Sequence, residues 1–330
     1  MDPIEALNEI AYLLERERAS KFKAKAFRAA AAAVAGLDEA ARRDPERLRR
    51  TKGIGASTFA VIEQALVGRV PDYLTDLRER LGDVKPSELR GLLRGDLHSH
   101  SDWSDGTTPI EDMVAAARGL GHEYLALTDH SPRLKVARGL SPERLRRQLE
   151  VVAGFQYDDF TLLSGIEVDI LSDGALDQEP ELLDELDVVV ASAHSELRME
   201  STAMTRRLVA AVSNPRVTVL GHVTGRLVTG SRGTRPPSTF DPRAVFEACA
   251  EHGVAVEINS RPEREDPPDD LISLALEIGC LFSIDSDAHA PGQLSLLDHG
   301  AERAERLGVP AERIITTWPL GRLRAWAWGA

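Results

Sequence analysis

Six histidines and several carboxylates stand at the ends of short apolar runs, and those residue types in that placement bind metal ions. His98 and His100 close the run Asp96-Leu97-His98-Ser99-His100, and His130 follows Leu127-Thr128-Asp129. Glu167 ends Ser164-Gly165-Ile166-Glu167, His194 ends Ala191-Ser192-Ala193, and His222 follows Leu220-Gly221. Asp287 and His289 follow Asp285-Ser286. Neutral imidazole and carboxylate are ligands for divalent Zn, Mn or Fe. Residues i and i+2 of an extended chain share one face, so His98 and His100 point at the same ion. Brought together without a cation, such groups would repel one another or lie unsatisfied. His122, His252 and His299 lie in or beside helical segments and read as ordinary packed or surface histidines. No Ser or Cys has a triad-like setting, so the chemistry needs no protein nucleophile.

The elements that must position these residues alternate. Strands are predicted at 95–99, 124–128, 161–168, 187–192, 217–221, 254–258 and 281–285. Helices are predicted near 109–119, 141–153, 200–212, 241–251, 269–278 and 291–307. Alternation of this kind predicts parallel strands with crossover helices. No Gly-rich nucleotide turn follows the first strand, so a closed α/β barrel of seven strands fits better than an open doubly wound sheet. A parallel barrel gathers its strand C-termini at one rim, where the active sites of such folds lie. Residues 230–240 read as a mobile polar loop.

The first 85 residues follow a different grammar. Ile4, Leu7, Ile10, Ala11 and Leu14 have helical spacing, Phe22, Ala26 and Ala30 continue it on a second helix, and 45–67 reads as helix, tight turn, helix. Pro71 starts another short helix. The expected organisation is a small all-α domain at 1–85, a linker at 86–93 around Lys85-Pro86-Ser87, and the barrel at 94–330.

Charge divides along the same line. The 330 residues carry a formal net charge of −13, yet residues 16–52 hold 12 basic against 5 acidic side chains. A basic module on an acidic body is the result, and carboxylates that bind cations do not by themselves repel an anionic substrate. No segment approaches the ~20 apolar residues needed to span a bilayer. The N-terminus lacks the pattern of a secretory signal. Cys249 and Cys280 sit among apolar neighbours in no paired motif. These features lead to the expectation of a cytoplasmic protein with buried free thiols.

The string from Asp96 through Ser104-Asp105-Gly106, with Leu127-Thr128-Asp129-His130, Gly165-Ile166-Glu167, Ser192-Ala193-His194, Gly221-His222 and Asp287-Ala288-His289, resembles the PHP (polymerase and histidinol phosphatase) family. It is most similar to the PHP module of bacterial family X DNA polymerases, and Val256-Glu257-Ile258-Asn259 and Thr317-Trp318-Pro319-Leu320 add to the likeness. The resemblance implies a distorted seven-stranded barrel with two or three divalent ions. A first ion would take His98, His100, Glu167 and Asp287. A second would take Glu167, His194 and His222, and a third Asp105, His130 and His289. Glu167, Asp287 and His289 would act catalytically through a metal-bound water. Asp96 and Asp129 would orient ligating imidazoles, and Lys135, Arg138 and Arg226 are candidates to hold phosphate oxygens.

The N-terminal module resembles the helix-hairpin-helix domain of the same polymerases, with the signature Thr51-Lys52-Gly53-Ile54-Gly55. Its glycines let backbone N–H groups approach a phosphate at a helix N-terminus, and Arg49, Arg50, Lys52, Gly53 and Gly55 are the expected DNA contacts. Where this domain is a lyase, a Schiff-base lysine follows the hairpin; Val61 stands at that position here. About 25 residues separate hairpin and barrel, too few for a polymerase palm. The expected activity is metal-assisted phosphoester hydrolysis at nucleic-acid ends, as a 3′ exonuclease or 3′ phosphatase. Two rivals are a small-molecule phosphomonoesterase with structural N-terminal helices, and a non-catalytic DNA-binding protein with structural metals.

Overall fold

Asp2, Asp44 and Gly53 set the geometry of the N-terminal helices. The computed structural model describes residues 1–17, 19–82, 87–229 and 233–328, in two compact units bounded as Met1–Lys85 with Pro291–Gln293, and Pro86–Ala290 with Leu294–Ala330. Lys85 and Pro86 of the expected linker lie outside the described residues. The first unit holds α1 (Pro3–Arg16), α2 (Lys21–Ala35), α3 (Glu39–Arg42), α4 (Pro45–Arg50), α5 (Ala56–Leu66) and α6 (Asp72–Leu81). The Asp2 carboxylate accepts from the Ile4 and Glu5 N–H groups, and Asp44 does the same for Glu46 and Arg47 at the start of α4, satisfying donors that a helix start leaves unpaired. Leu7, Ile10, Leu14, Phe27, Leu48, Ile62 and Leu74 form the core. Val61 is buried within it, so the lyase lysine position carries a packed apolar side chain. Gly53 adopts φ 98°, a left-handed turn that a side chain would strain.

The second unit is built on β1 (Gly95–Ser99), β2 (Tyr124–Leu127), β3 (Thr161–Asp169), β4 (Val188–Ser192), β5 (Val219–Leu220), β6 (Ala255–Asn259) and β7 (Phe282–Asp285). They pair in parallel in the order β1 to β7. Helices α7 (Ile110–Gly119), α8 (Pro142–Ala153), α9 (Pro180–Leu183), α10 (Ser201–Val212), α11 (Pro242–His252) and α12 (Asp269–Ile278) form the connections, followed by α13 (Leu297–Arg306) and α14 (Leu320–Ala327). Six of the seven strands are buried throughout, as a parallel sheet covered by helices requires. Ile166, Val189, Val256 and Ile284 pack with Leu208, Phe246 and Ile272 of the helices.

Between β7 and β1 the seam is closed largely by side chains. A parallel bridge joins Ser99 to Ala288. Beside it, Asp285 Oδ1 accepts from the Leu97 N–H at 3.0 Å and Asp96 Oδ1 from the Ser286 N–H at 3.2 Å. Burial pushes the Asp96 carboxyl up to about 6 and Asp285 well above the carboxylate range.

Three expectations are corrected in detail. The fifth strand spans only Val219–Leu220, although backbone bonds continue on either side of it: the Thr218 N–H donates to the Val189 carbonyl, whose own N–H meets Thr218 Oγ1, and the Gly221 N–H donates to the Ala191 carbonyl. The segment 291–307 divides into a 3-10 turn, Pro291–Leu296, and α13. The 230–240 loop is anchored where described: Leu227 and Arg235 exchange two backbone hydrogen bonds, and the Ser238 N–H bonds the Thr224 carbonyl. Gly230, Ser231 and Arg232 lie outside the described residues. Among the described residues no helix is long and apolar enough to cross a membrane, and both cysteines are free and buried.

Gly221 shows how closely the site-bearing strands approach. A Cβ there would lie 2.3 Å from Ser192 Oγ and 2.8 Å from Val190 Cγ1. Gly221→Ala is expected to cost about 1–3 kcal/mol in denaturant titration through overpacking. Adding Ser192→Ala should recover part of that loss in a double-mutant cycle.

Candidate metal centre

Glu167, near the end of β3, is the hub of the site. Its Oε1 lies 2.8 Å from His222 Nε2 and 3.1 Å from His194 Nε2. Its Oε2 lies 2.8 Å from His130 Nδ1, 3.3 Å from His98 Nε2 and 3.6 Å from His100 Nε2. Five imidazoles from the ends of β1, β2, β4 and β5 thus face one carboxylate that is 1% exposed. On one side Asp287 Oδ1 stands 3.5 Å from His100 Nε2. Asp105 Oδ1 stands 3.4 Å from His130 Nε2 and 3.3 Å from His289 Nε2. The rim of the barrel brings together all nine residues singled out by spacing and resemblance.

Protons alone satisfy this arrangement poorly. His98 Nε2, both ring nitrogens of His100, and Nδ1 of His130, His194 and His222 are buried and make no well-aligned hydrogen bond among the described residues, although carboxylate oxygens stand close to several of them. Several of the nitrogen–oxygen gaps fall near the ~3.4 Å between two ligands that each bind one ion at ~2.1 Å in tetrahedral geometry. Four overlapping groups have ligand atoms converging closely enough for one ion: His100 with Asp105, His130 and His289; His98 with His100 and Asp287; His98 with Glu167 and His222; and His130 with Glu167 and His194. The donor set fits divalent metal. Its grouping differs from the ligand sets implied by the family in placing His98 beside Glu167 and His222, and His130 beside Glu167 and His194.

Electrostatics agree. Burial disfavours charge on Glu167, yet His130, His194 and His98 hold its carboxyl well below the usual range. His130 is raised to about 10 because Glu167 and Asp105 outweigh its burial. Burial together with the neighbouring His289 and His130 lowers His100 to about 3. Without metal, protons on some imidazoles offset the carboxylates.

Two carboxylates that the sequence reading left without a role fix the imidazoles. Glu257 of β6 accepts from His98 Nδ1 at 2.6 Å, and its other oxygen accepts from the His222 backbone N–H at 2.5 Å. Asp169 accepts from the His194 N–H at 3.0 Å and lies 3.4 Å from its Nδ1. A charged residue inside the buried run Val256-Glu257-Ile258-Asn259 was the available signal. Asp287, at φ 50°, has its Oδ2 held by Asn259 Nδ2 at 3.2 Å and Arg264 Nε at 3.1 Å.

Asp96 and Asp129 were expected to orient imidazole rings and do other work. Asp96 bonds backbone N–H groups of His98 and Ser286 and the Ser286 hydroxyl, closing the barrel seam. Asp129 gathers Ser101, the Ser104 hydroxyl and Gln148, fixing the loop after β1. Arg226 donates to the carbonyls of Arg264 and Glu265. Arg138 donates to those of Asp102 and Ser104, while Lys135 is exposed.

A seven-stranded parallel α/β barrel whose rim is lined by clustered His, Asp and Glu side chains is the architecture these observations define. The PHP domain family matches residues 96–261, and the chain belongs to that family. A helix-hairpin-helix domain matches residues 1–69. The chain is 35% identical over 237 residues to the DNA polymerase/3′-5′ exonuclease PolX of Bacillus subtilis, covering 71% of this chain and 41% of that protein. It therefore spans less than half of that relative's length. It is 29% identical over 233 residues to a probable phosphatase of Vibrio parahaemolyticus, covering 67% of this chain and 88% of that one. A solved structure of histidinol phosphate phosphatase from Lactococcus lactis, complexed with zinc, L-histidinol and phosphate, covers 65% of this chain and 94% of its own at 20% identity and a TM-score of 0.47.

Glu257→Gln is expected to preserve the fold while lowering metal affinity about 10–100-fold, measured by competition with a metal buffer. The raised His98, His130 and His194 must lose protons to become ligands, so metal binding should release protons and strengthen as pH rises. Calorimetry in buffers of different ionisation enthalpy reads that proton count directly.

Proposed function

We propose that the chain is a metal-dependent phosphoric ester hydrolase acting on nucleic-acid ends, as a 3′ exonuclease or 3′ phosphatase. The convergence of five imidazoles on Glu167 carries this reading, because a buried anion shared by several neutral ligands suits adjacent cations. His98, His100, Asp105, His130, Glu167, His194, His222, Asp287 and His289 would hold two or three of them. When bound, such ions supply Lewis-acid stabilisation of phosphoryl oxygens and lower the pKa of water into the neutral range. The chain's own part is positioning. Glu257 holds the His98 ring, Asp169 holds His194, and Asn259 with Arg264 turns Asp287 so that Oδ1 faces His100.

The nucleic-acid assignment is supported by the helix-hairpin-helix match and the basic stretch before it. Arg49, Arg50 and Lys52 are exposed. The Gly55 N–H is engaged by Thr58 Oγ1 at 2.9 Å, so phosphate contact falls to the first-turn amides of Ala56 and Ser57, both exposed. A second reading, a phosphatase of small monoesters, is favoured by the Vibrio relative, 88% of whose length aligns with this chain.

Metal analysis with a panel of an aryl phosphate, a nucleotide and a 3′-phosphorylated oligonucleotide tests both readings. Reversing charge at Arg49, Arg50 and Lys52 should weaken oligonucleotide binding and flatten its log–log salt slope by about one per lost phosphate contact. Turnover of the aryl phosphate should stay unchanged. Equal turnover of the oligonucleotide by the reversed variant would favour the small-ester reading.

A further inference from the structure

The chain leaves the rim at His130 and comes straight back to it. The Leu140 N–H donates to the His130 carbonyl at 2.7 Å, closing a loop over residues 131–139. This loop is braced at both shoulders. Asp177 Oδ2 accepts from Ser131 Oγ at 2.9 Å and from the Arg133 N–H at 2.6 Å. Arg138 adopts φ 57°, a left-handed conformation that strains a residue with a side chain. Its guanidinium donates to the Asp102 carbonyl at 2.9 Å and to that of Ser104, on the loop that carries Asp105. Arg144 Nη1 in turn donates to the Arg138 carbonyl at 2.5 Å. Gly139 passes so near the Ser131 carbonyl that a Cβ would stand 1.8 Å from its oxygen.

That bracing fixes the tip, a 3-10 turn at Lys135–Ala137. Ala137 is buried, while Val136 is 90% exposed, more than any other large apolar side chain among the described residues. A single exposed valine is ordinary on a protein surface. This one stands on a strained loop tied both to His130 and to the loop of Asp105, and strain of that kind collects at ligand sites. The loop's charge selects the ligand. Residues 131–140 contain Arg133, Lys135 and Arg138 and no acidic residue, in a chain of net charge −13. Arg133 and Lys135 are exposed beside Val136. A polyanion is drawn to such a tip. The flat apolar face of a nucleobase is the part of a strand end that a rigid aliphatic side chain packs against, whatever the base.

We propose that Val136 is a specificity-determining contact for the terminal base of a nucleic-acid substrate, a rigid apolar rest that holds the strand end while its phosphate lies at the metal groups. The proposal rests on the nucleic-acid reading above and names how that site tells a strand end from a phosphate with no base beside it. Val136 contributes to binding and not to bond cleavage, so its effect falls on KM.

The test compares two 3′-phosphorylated single-stranded oligonucleotides that differ only in whether the terminal nucleotide carries a base or is abasic. The full-length protein is loaded with zinc or manganese, its metal content is measured, and release of phosphate or nucleotide is followed. Wild type is expected to favour the base-bearing end about fivefold in kcat/KM, mainly through KM, and Val136→Ser to bring that ratio close to one. Val136→Thr, which keeps the branched shape and exchanges one methyl for a hydroxyl, serves as the second variant should the serine form fold poorly; it should give an intermediate ratio. A side chain that only steadied His130 would lower turnover of both ends alike and leave the ratio at its wild-type value. That result would overturn the base contact, as would a wild-type ratio of one. Wild-type protein that hydrolyses an aryl phosphate but neither oligonucleotide would overturn the nucleic-acid reading itself, and the base contact with it.

Discussion

Everything at the rim follows from burying Glu167 among imidazoles. A carboxylate at 1% exposure cannot keep its charge in an apolar interior without compensation. Here the compensation comes from four different strands, which ties the electrostatics of the site to the closure of the barrel. In turn the ligand residues cannot relax apart to relieve repulsion, since β1 to β7 are locked by helices packed on their outer face. The charge arrangement that protons on the imidazoles offset without metal is thus one that divalent cations would also satisfy.

Much of this was legible in the sequence because strand-tip histidines are an unusual residue type in a regular place. The period of the alternation gave the barrel, and the barrel placed the tips together. What stayed hidden depends on contacts across the barrel. Glu257 looks like one acid in an apolar strand until closure sets β6 opposite β1 and its carboxylate reaches His98. Asp96 lies two residues before His98 on the same strand, which suggested an interaction with its ring. Its carboxylate instead turns to the gap beside β7, where a ladder would otherwise have left N–H groups unpaired. Whether an arginine is available to a ligand is equally invisible in sequence: Arg226, read as a phosphate contact, donates instead to the backbone carbonyls of Arg264 and Glu265.

The helical unit was legible for similar reasons and misread in one particular. Gly53 is needed for a left-handed turn, as the hairpin signature implies. The N–H of Gly55, however, is engaged by the side chain of Thr58, a bond set by the α5 start rather than by the signature itself. The loss of the lyase lysine has a packing counterpart, because Val61 is an integral part of the core shared by Ile10, Phe27 and Ile62.

The β7–β1 seam ties closure of the barrel to two buried carboxyl groups. The Leu97 N–H rests on Asp285 and the Ser286 N–H on Asp96, beside the backbone bond from the His100 N–H to the Ala288 carbonyl. His98, His100 and Asp287 stand next to this junction in the chain. Charge gathered at those three side chains is therefore felt by the same two groups that fasten the first strand to the last.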